Sequence, residues 1–510
     1  MAVNNYQNPG VYVSQVTNPS LTTANPSSLN ICFLANASGN NPIAPQTDRF
    51  LVTTVSSGQV FNLTQSGVQT SSLVVTNNTT GATLTSGVDY TVSTTNNVTS
   101  ITTISGGSGL QGVGVNGWIA ANYNYTTAVT GTTYTFYNFN SVQNTFGPAF
   151  SYAANGTVSV NSPATLAAWL AFQNGAQVVS CQNIVSATGN AGTEQDFLNA
   201  VQGLVKVPGI NVIVPLKYDT TYNPGNSGSG TLFTGINNFL TAQANNGTYQ
   251  RAFVGMDSTV SGTNLINTVF KIATSISPNN STAISPSNPG TRMTLAVPQQ
   301  ININPGLNSV TGVSNGYVTV DGIYLAAALA GLFAGQPDVY VPITHKLVNG
   351  VQSIPNQIAA SDSTTIQSFG GTVVRQRADG TIYVRHGLTL NTSNWLTQEL
   401  SINAIGDRLS NNIANAISNS TLIGSPLTNS TMASLQSTVL ATLMRAVNTN
   451  LIQSYQNLTY SINPANPTNV VVNFQYSPTI PLNYINVNLS VNVQTGTITS
   501  ASNVGSTLIA

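Results

Sequence analysis

Charge is scarce in this sequence. Twelve basic and twelve acidic residues make up 5 % of 510 residues, where an ordinary soluble domain carries roughly 25 %. From Leu409 to Ala510 the only charged side chain is Arg445. Soluble monomers keep clear of one another partly through charge. A chain without that defence suits a subunit surrounded by copies of itself. The formal net charge is zero, so no basic patch is available to neutralise phosphates and nucleic acid is not expected as a partner.

Cysteine and histidine are sparser still, with two residues each. Cys32 and Cys181 cannot form a disulfide framework, and each sits in an apolar run (ICFL, VVSC), which predicts buried thiols. His345 and His386 are the only histidines. Their spacing supports no metal site, and neither lies in a nucleophile arrangement. No apolar run approaches the length of a membrane span, and no charged-then-apolar leader is visible. Direct membrane insertion is therefore not expected, and synthesis in a cytoplasm is. Sequons such as Asn62-Leu63-Thr64 and Asn97-Val98-Thr99 are numerous, as chance dictates in a chain this rich in Asn, Ser and Thr.

What is present is patterned. Hydrophobic residues make up 41 %, and at this length the chain should divide into three or four domains. Residues 1–30 are polar and broken by proline. Within them Val11, Tyr12, Val13, Ser14, Gln15 and Val16 form a short strand candidate, which cannot stand alone and must pair with something distant. Residues 46–140 read as all-β, with runs such as Ser72–Val75 and Tyr90–Val92 split by Gly- and Asn-rich turns and a closing strand at Trp118–Tyr125. Residues 141–344 alternate helix and strand. Ser162-Pro163 opens one helix, and Thr193 with Asp196 opens the next. This order predicts a mainly parallel sheet covered by helices.

From 345 onwards the pattern changes. Thr372–Arg377 and Thr381–Arg385 flank Asp379-Gly380, a hairpin signal. Ile402, Ile405, Leu409, Ile413 and Ile417 make one helical stripe, and Leu435, Val439, Leu443, Val447 and Leu451 make another. Strands are expected at Val470–Tyr476 and at Tyr484–Val493, the latter alternating through Ile485, Val487, Leu489, Val491 and Val493. A polar tail follows Gln494.

Chemistry is hard to find. Gly112-Val113-Gly114-Val115-Asn116-Gly117 imitates a dinucleotide fingerprint, but a strand follows where a helix N-terminus is needed, and no acid appears between Asp89 and Glu194. It reads as a β-turn. Glu194 and Asp196 occupy a first helical turn, where acids complement the dipole. Arg375, Arg377 and Arg385 cluster on the hairpin, either as a solvated strand face or as an ion-paired subunit contact. No enzyme activity and no cofactor are expected.

In these segments the chain resembles the contractile tail sheath family of bacteriophages and related injection machines. The likeness begins at Asn8-Pro9-Gly10-Val11-Tyr12-Val13. It continues through Tyr137–Val142, Phe146-Gly147 and the turn Phe172-Gln173-Asn174-Gly175. It is strongest where Val384-Arg385-His386-Gly387-Leu388-Thr389 precedes the helix Leu400–Leu409 containing Gly406-Asp407-Arg408. Two features depart from the family's habit: the low charge, and Asn403 where a basic residue is frequent.

The resemblance implies a structural subunit that polymerises helically around an inner tube and contracts to drive it through a target envelope. Its partners would be identical subunits, the inner tail tube protein, and baseplate and tail terminator proteins. Its place would be the virion, after assembly in the host cytoplasm. The fold class would be multidomain α+β. An N-terminal strand-exchange arm (1–25) would lead into the first part of an assembly core (26–45), an inserted all-β outer domain (46–140), an α/β domain (141–344), the C-terminal assembly core with strand exchange (345–494) and a tail (495–510). Val11–Val16 and the strand bearing Ile485 to Val493 would pair with neighbouring subunits. Arg445, and with it Arg375, Arg377 and Arg385, would face the tube or another subunit. A surface-layer or adhesive fibre protein is the alternative.

Overall fold

Ile31-Cys32-Phe33-Leu34-Ala35 is apolar on both faces, and all five residues are fully buried. Such a run belongs in the middle of a covered parallel sheet. The strand Asn30–Asn36 lies between Val178–Ile184 and Val212–Pro215, parallel to both. The structure, a computed structural model, describes residues 29–501 except 37–42, 55–57, 66, 96–97, 128, 154–156, 185–190, 224–225, 227–229, 278–288, 306–315, 463–469, 484, 486–487 and 492–497. The arm residues Val11 to Val16 and the C-terminal residues Val487 and Val493 lie outside the described residues.

The main sheet has eight strands. From one edge to the other they are Ile382–Val384, Gly371–Gln376, Met293–Val297, Arg251–Gly255, Val212–Pro215, Asn30–Asn36, Val178–Ile184 and Thr133–Phe136. The six inner strands run parallel, and the two edge strands are antiparallel to their neighbours. Helices Pro163–Gln173, Glu194–Gly203, Thr231–Asn245, Leu265–Ile276 and Ile323–Ala334 belong with this sheet in one hydrophobic core. The helix starts follow their local chemistry. The Thr165 amide donates to Ser162 Oγ, and Thr193 and Asp196 bond reciprocally as a capping box.

Ile323–Ala334 is buried on every side. Gly331 and Gly335 bring it against the helix and turn at Pro163–Gly175. A methyl group on Gly331 would sit 2.5 Å from Ala171 Cα, and one on Gly335 would sit 2.8 Å from Gly175 Cα. Backbone meets backbone at both places, and only glycine leaves the room.

These strands cross the expected boundaries. Asn30–Asn36, assigned to the first part of an assembly core at 26–45, is central to the α/β sheet because both its faces are apolar. The hairpin Gly371–Gln376/Ile382–Val384, assigned to the core at 345–494, extends the same sheet. Thr133–Phe136, assigned to the β insertion at 46–140, caps its other edge.

The β unit is built on Ile43–Val52, which pairs residue by residue with Gly117–Thr126, from Ile43↔Thr126 to Val52↔Gly117. Val68–Asn77 flanks the second of these, and Val60–Asn62, Val98–Thr103 and Tyr90–Thr95 make a further sheet. Val52, Phe61, Val75, Ile101, Ile119 and Tyr123 belong to a core separate from the main one. Asp48 is buried in this unit, accepting from Thr64 N (2.8 Å), Thr64 Oγ1 (2.7 Å) and Tyr123 Oη (2.7 Å). Burial alone would raise its pKa, but hydrogen bonds from Gln46, Thr64 and Tyr123 outweigh it and hold the carboxyl below its ordinary value.

Beyond residue 395 two long helices, Leu400–Ser418 and Asn429–Asn448, pack together and carry the hairpin Ile452–Ile462/Val470–Pro478. The first helix buries Leu400 to Leu409 almost throughout, and the second buries only Val439, Leu443 and Ala446. The strand Ile452–Ile462 was not expected. Within the expected strand Tyr484–Val493, Asn488–Val491 is a strand and pairs antiparallel with Ile498–Ala501. That partner falls in the stretch read as a polar tail. Leu489 and Val491 lie in this strand, and Ile485 lies outside it, exposed.

Candidate assembly surface

The C-terminal helices, the loop between them and the segment after the hairpin carry exposed apolar residues. Ile423, Leu427, Leu440 and Met444 on this part, and Ile480, Leu482 and Ile485 beyond the hairpin, are exposed large hydrophobics. The hairpin between them is a two-stranded sheet. Among the described residues each of its outer edges lacks a strand partner. Unpaired edges are templates for another strand, and an isolated two-stranded sheet is only marginally stable.

Arg445 lies exposed in the last turn of Asn429–Asn448, where a cation complements the helix dipole. It borders a groove of about 580 Å³ between the two helices, with Arg408, Asp338, Asn412 and Asn415 on its walls. Arg408, one residue before the nearly chargeless stretch, thus joins the residue expected there.

The three hairpin arginines do not form one cluster of contacts. The Arg377 guanidinium lies 4.5 Å from the Tyr383 ring centroid. Arg385 turns to helix Ala360–Ser368, donating to Thr364 Oγ1 (2.9 Å) and Ala360 O (3.3 Å). Arg375 is half-buried in register with Tyr383.

Two buried polar clusters escaped the sequence reading. In one, Asp407 receives Arg251 Nη2 on Oδ2 and Arg292 Nη2 on Oδ1, each at 2.5 Å. This joins the helix Leu400–Ser418 to the N-terminal ends of two parallel strands. In the other, Glu399 Oε2 lies 2.7 Å from His386 Nε2 and accepts from Asn483 Nδ2 at 3.0 Å. Asn483 begins the segment leading to the last strands, so its root is tied to the helix start. Neither cluster has a signal in local spacing, because the partners are separated by 13 to 156 residues. Asn403, the departure noted in the sequence, is a buried amide that donates to Thr397 O (2.7 Å) and Glu399 O (2.9 Å). The Gly112–Gly117 segment is a turn, with Gly114 at φ 73° and a strand following.

Fold and surface together define a mixed α/β subunit with a large mixed sheet, several small ones and an under-covered C-terminal face. No family model matches the chain. In sequence it is 28 % identical over 364 residues to a tail sheath protein of Mycobacterium phage Bxz1, covering 70 % of this chain and 56 % of that protein. The chain thus spans little more than half the length of this curated relative. In structure it resembles the anti-feeding prophage helical sheath in its contracted state (TM-score 0.50, 13 % identity, 71 % of this chain and 89 % of that one). It also resembles a chain of the contracted anti-feeding prophage baseplate (TM-score 0.51, 11 % identity, 72 % and 91 %). In sequence the chain is thus similar to a tail sheath protein, and in fold to the sheath of a contractile particle. Neither likeness supports the surface-layer or adhesive-fibre alternative.

Proposed function

We propose that this protein is the structural subunit of a contractile tail sheath. It polymerises helically with identical copies around an inner tube and contracts to drive that tube through a target envelope. The observation that carries this reading is the hairpin Ile452–Ile462/Val470–Pro478. It offers two strand edges on a face almost free of charge, beside exposed apolar residues. Strands added from neighbours at Val11–Val16 and at the strand bearing Leu489 and Val491 would each contribute several ladder hydrogen bonds, about 0.5–1.5 kcal/mol net apiece. A head-to-tail contact that does not close into a ring builds a helix of subunits.

The finer assignments follow from this reading. The groove holding Arg445 and Arg408 would meet acids of the inner tail tube protein. Baseplate and tail terminator proteins would close the two ends, within a virion assembled in the host cytoplasm. The β unit of Ile43–Thr126 would face outward. Negative-stain microscopy of the purified chain and of a truncation lacking residues 1–20 tests the core of the proposal. The full chain is expected to form striated tubes, and the truncation a folded subunit that forms none. Tubes of normal length from the truncation would remove strand exchange by the arm, and a flat lattice from the full chain would remove the sheath reading itself.

A further inference from the structure

A cavity of about 330 Å³ lies where the start of the helix Leu400–Ser418 meets the segment after the hairpin. Buried Leu388 and Ile402 form its floor, and Trp395, Ile480 and Leu482 stand at its rim, 56 %, 49 % and 80 % exposed. Asn483, on the same wall, is tied to Glu399 at 3.0 Å, and Glu399 to His386 at 2.7 Å. The wall is thus pinned at its root. Its two ionisable groups already face each other, so an occupant need bring no charge. Apolar concave surface of this size is where ligands and peptide side chains bind, and Trp and Leu at a rim gain from being covered.

The chain itself supplies an occupant within reach. Asn488 follows Asn483 by five residues, and Ala501 is its partner in the antiparallel pair Asn488–Val491/Ile498–Ala501. Even with the connection fully extended, Ala501 lies at most about 23 Å from Asn483. Residues 502–510 (SNVGSTLIA) follow, outside the described residues and without a charged side chain. Ile509 is eight residues beyond Ala501 and can extend about 27 Å from it, so the reach exceeds the gap. We propose that Leu508 and Ile509 of the same chain fill this cavity and cover Trp395. On so short a tether the segment meets the cavity at an effective concentration near the millimolar range, which a second copy in dilute solution does not match. The contact lies within one subunit and does not depend on the sheath reading.

The test uses the full chain, unassembled, and a fluorescein-labelled synthetic peptide of residues 502–510, with binding read by fluorescence anisotropy. The double variant Leu508→Asp/Ile509→Asp, whose own tail is too polar for an apolar cavity, should bind the peptide saturably. The parent should bind it at least roughly tenfold more weakly, because its own tail competes. Adding Trp395→Ala to the double variant should weaken peptide binding roughly tenfold, and a peptide carrying the same two aspartates should not bind. Should the aspartates prevent folding, Leu508→Ser/Ile509→Ser removes the apolar contact without adding charge and gives the same comparison. Equal binding by parent and variant would show that the tail does not occupy the cavity in cis. Peptide affinity that falls as the parent chain is concentrated would show that a second copy fills it. Binding by a chain lacking residues 1–28, with none by the tail variant, would make the N-terminal segment the occupant. Each of these results, or no peptide binding by any variant, overturns the proposal.

Discussion

Asn174 and Asn349 hold each other by two hydrogen bonds that run in opposite directions. The Asn174 side-chain amide donates to Asn349 O at 2.9 Å, and the Asn349 backbone amide donates to Asn174 Oδ1 at 2.8 Å. Asn174 Nδ2 also reaches Leu170 O at 2.8 Å, closing its own helix. Gly175 follows with φ 98°, a left-handed turn. Replacing Asn174 with Ala would leave the part-buried Asn349 N–H and the buried Leu170 O short of a partner. A loss of about 1–3 kcal/mol is expected, read as a lowered denaturant midpoint with unchanged slope. A loss below about 0.5 kcal/mol would mean that water replaces the clasp.

Asp48 should make the β unit acid-sensitive. Its carboxyl is held below its ordinary value, so the charged form is favoured in the folded unit. The stability this supplies is complete above the unfolded carboxyl's pKa and is lost as pH falls through the lower folded value. Hydrogen exchange at Gly117–Thr126 should therefore accelerate below about pH 4, and Asp48→Asn should flatten that dependence. An identical acid profile in the variant would assign the effect to another group.

The strand Thr133–Phe136 at the edge of the main sheet distinguishes two deletions. Removing 46–140 also removes Thr133–Phe136, which pairs with Val179–Gln182, and with it the buried Phe136 whose ring lies 5.9 Å from that of Phe146. Removing 43–126 and joining the ends with a short linker spares both. The second chain should be soluble, with an unfolding temperature close to the parent's, and the first should aggregate through its exposed sheet edge. Equal solubility of the two would show that the edge strand is dispensable.

Assembly should depend weakly on ionic strength. At 1 M salt the screening length falls to about 3 Å and exposed ion pairs are dismantled. The C-terminal face has only Arg445 beyond Leu409, and the Arg251–Asp407–Arg292 cluster is buried and screened little. Particles sedimented across a salt series should keep subunit–subunit contacts intact, while any attachment through Arg408 and Arg445 weakens. Dissolution into subunits between about 0.1 and 1 M would show that these few charges control the polymer.

Local rules located most of the elements. The periodicity of Ile402 to Ile417 marks the helix Leu400–Ser418, Thr193 and Asp196 cap where their spacing requires, and Asp379-Gly380 turns the hairpin with Gly380 at φ 86°. Relations across the chain were not legible. Nothing near Asn30–Asn36 says that its neighbours are about 150 and 180 residues away, and an all-apolar strand fits any buried sheet. The strand Ile452–Ile462 alternates weakly, with polar residues on both faces, so no period announces it. Asp407 looked like one polar residue in a motif. Its meaning lies in Arg251 and Arg292, which reach it only after the sheet has formed. The groove beside Arg445 likewise exists only once the two helices are packed.

The glycine contacts of Ile323–Ala334 have a mechanical consequence. With Gly331 against Ala171 and Gly335 against Gly175, there is no cushion of side chains at these crossings to deform or slide. Shear between the two helices would drive backbone into backbone, which is far stiffer than a layer of rotamers. This crossing is therefore expected to resist sliding, so that under shear the two helices would move together rather than past each other.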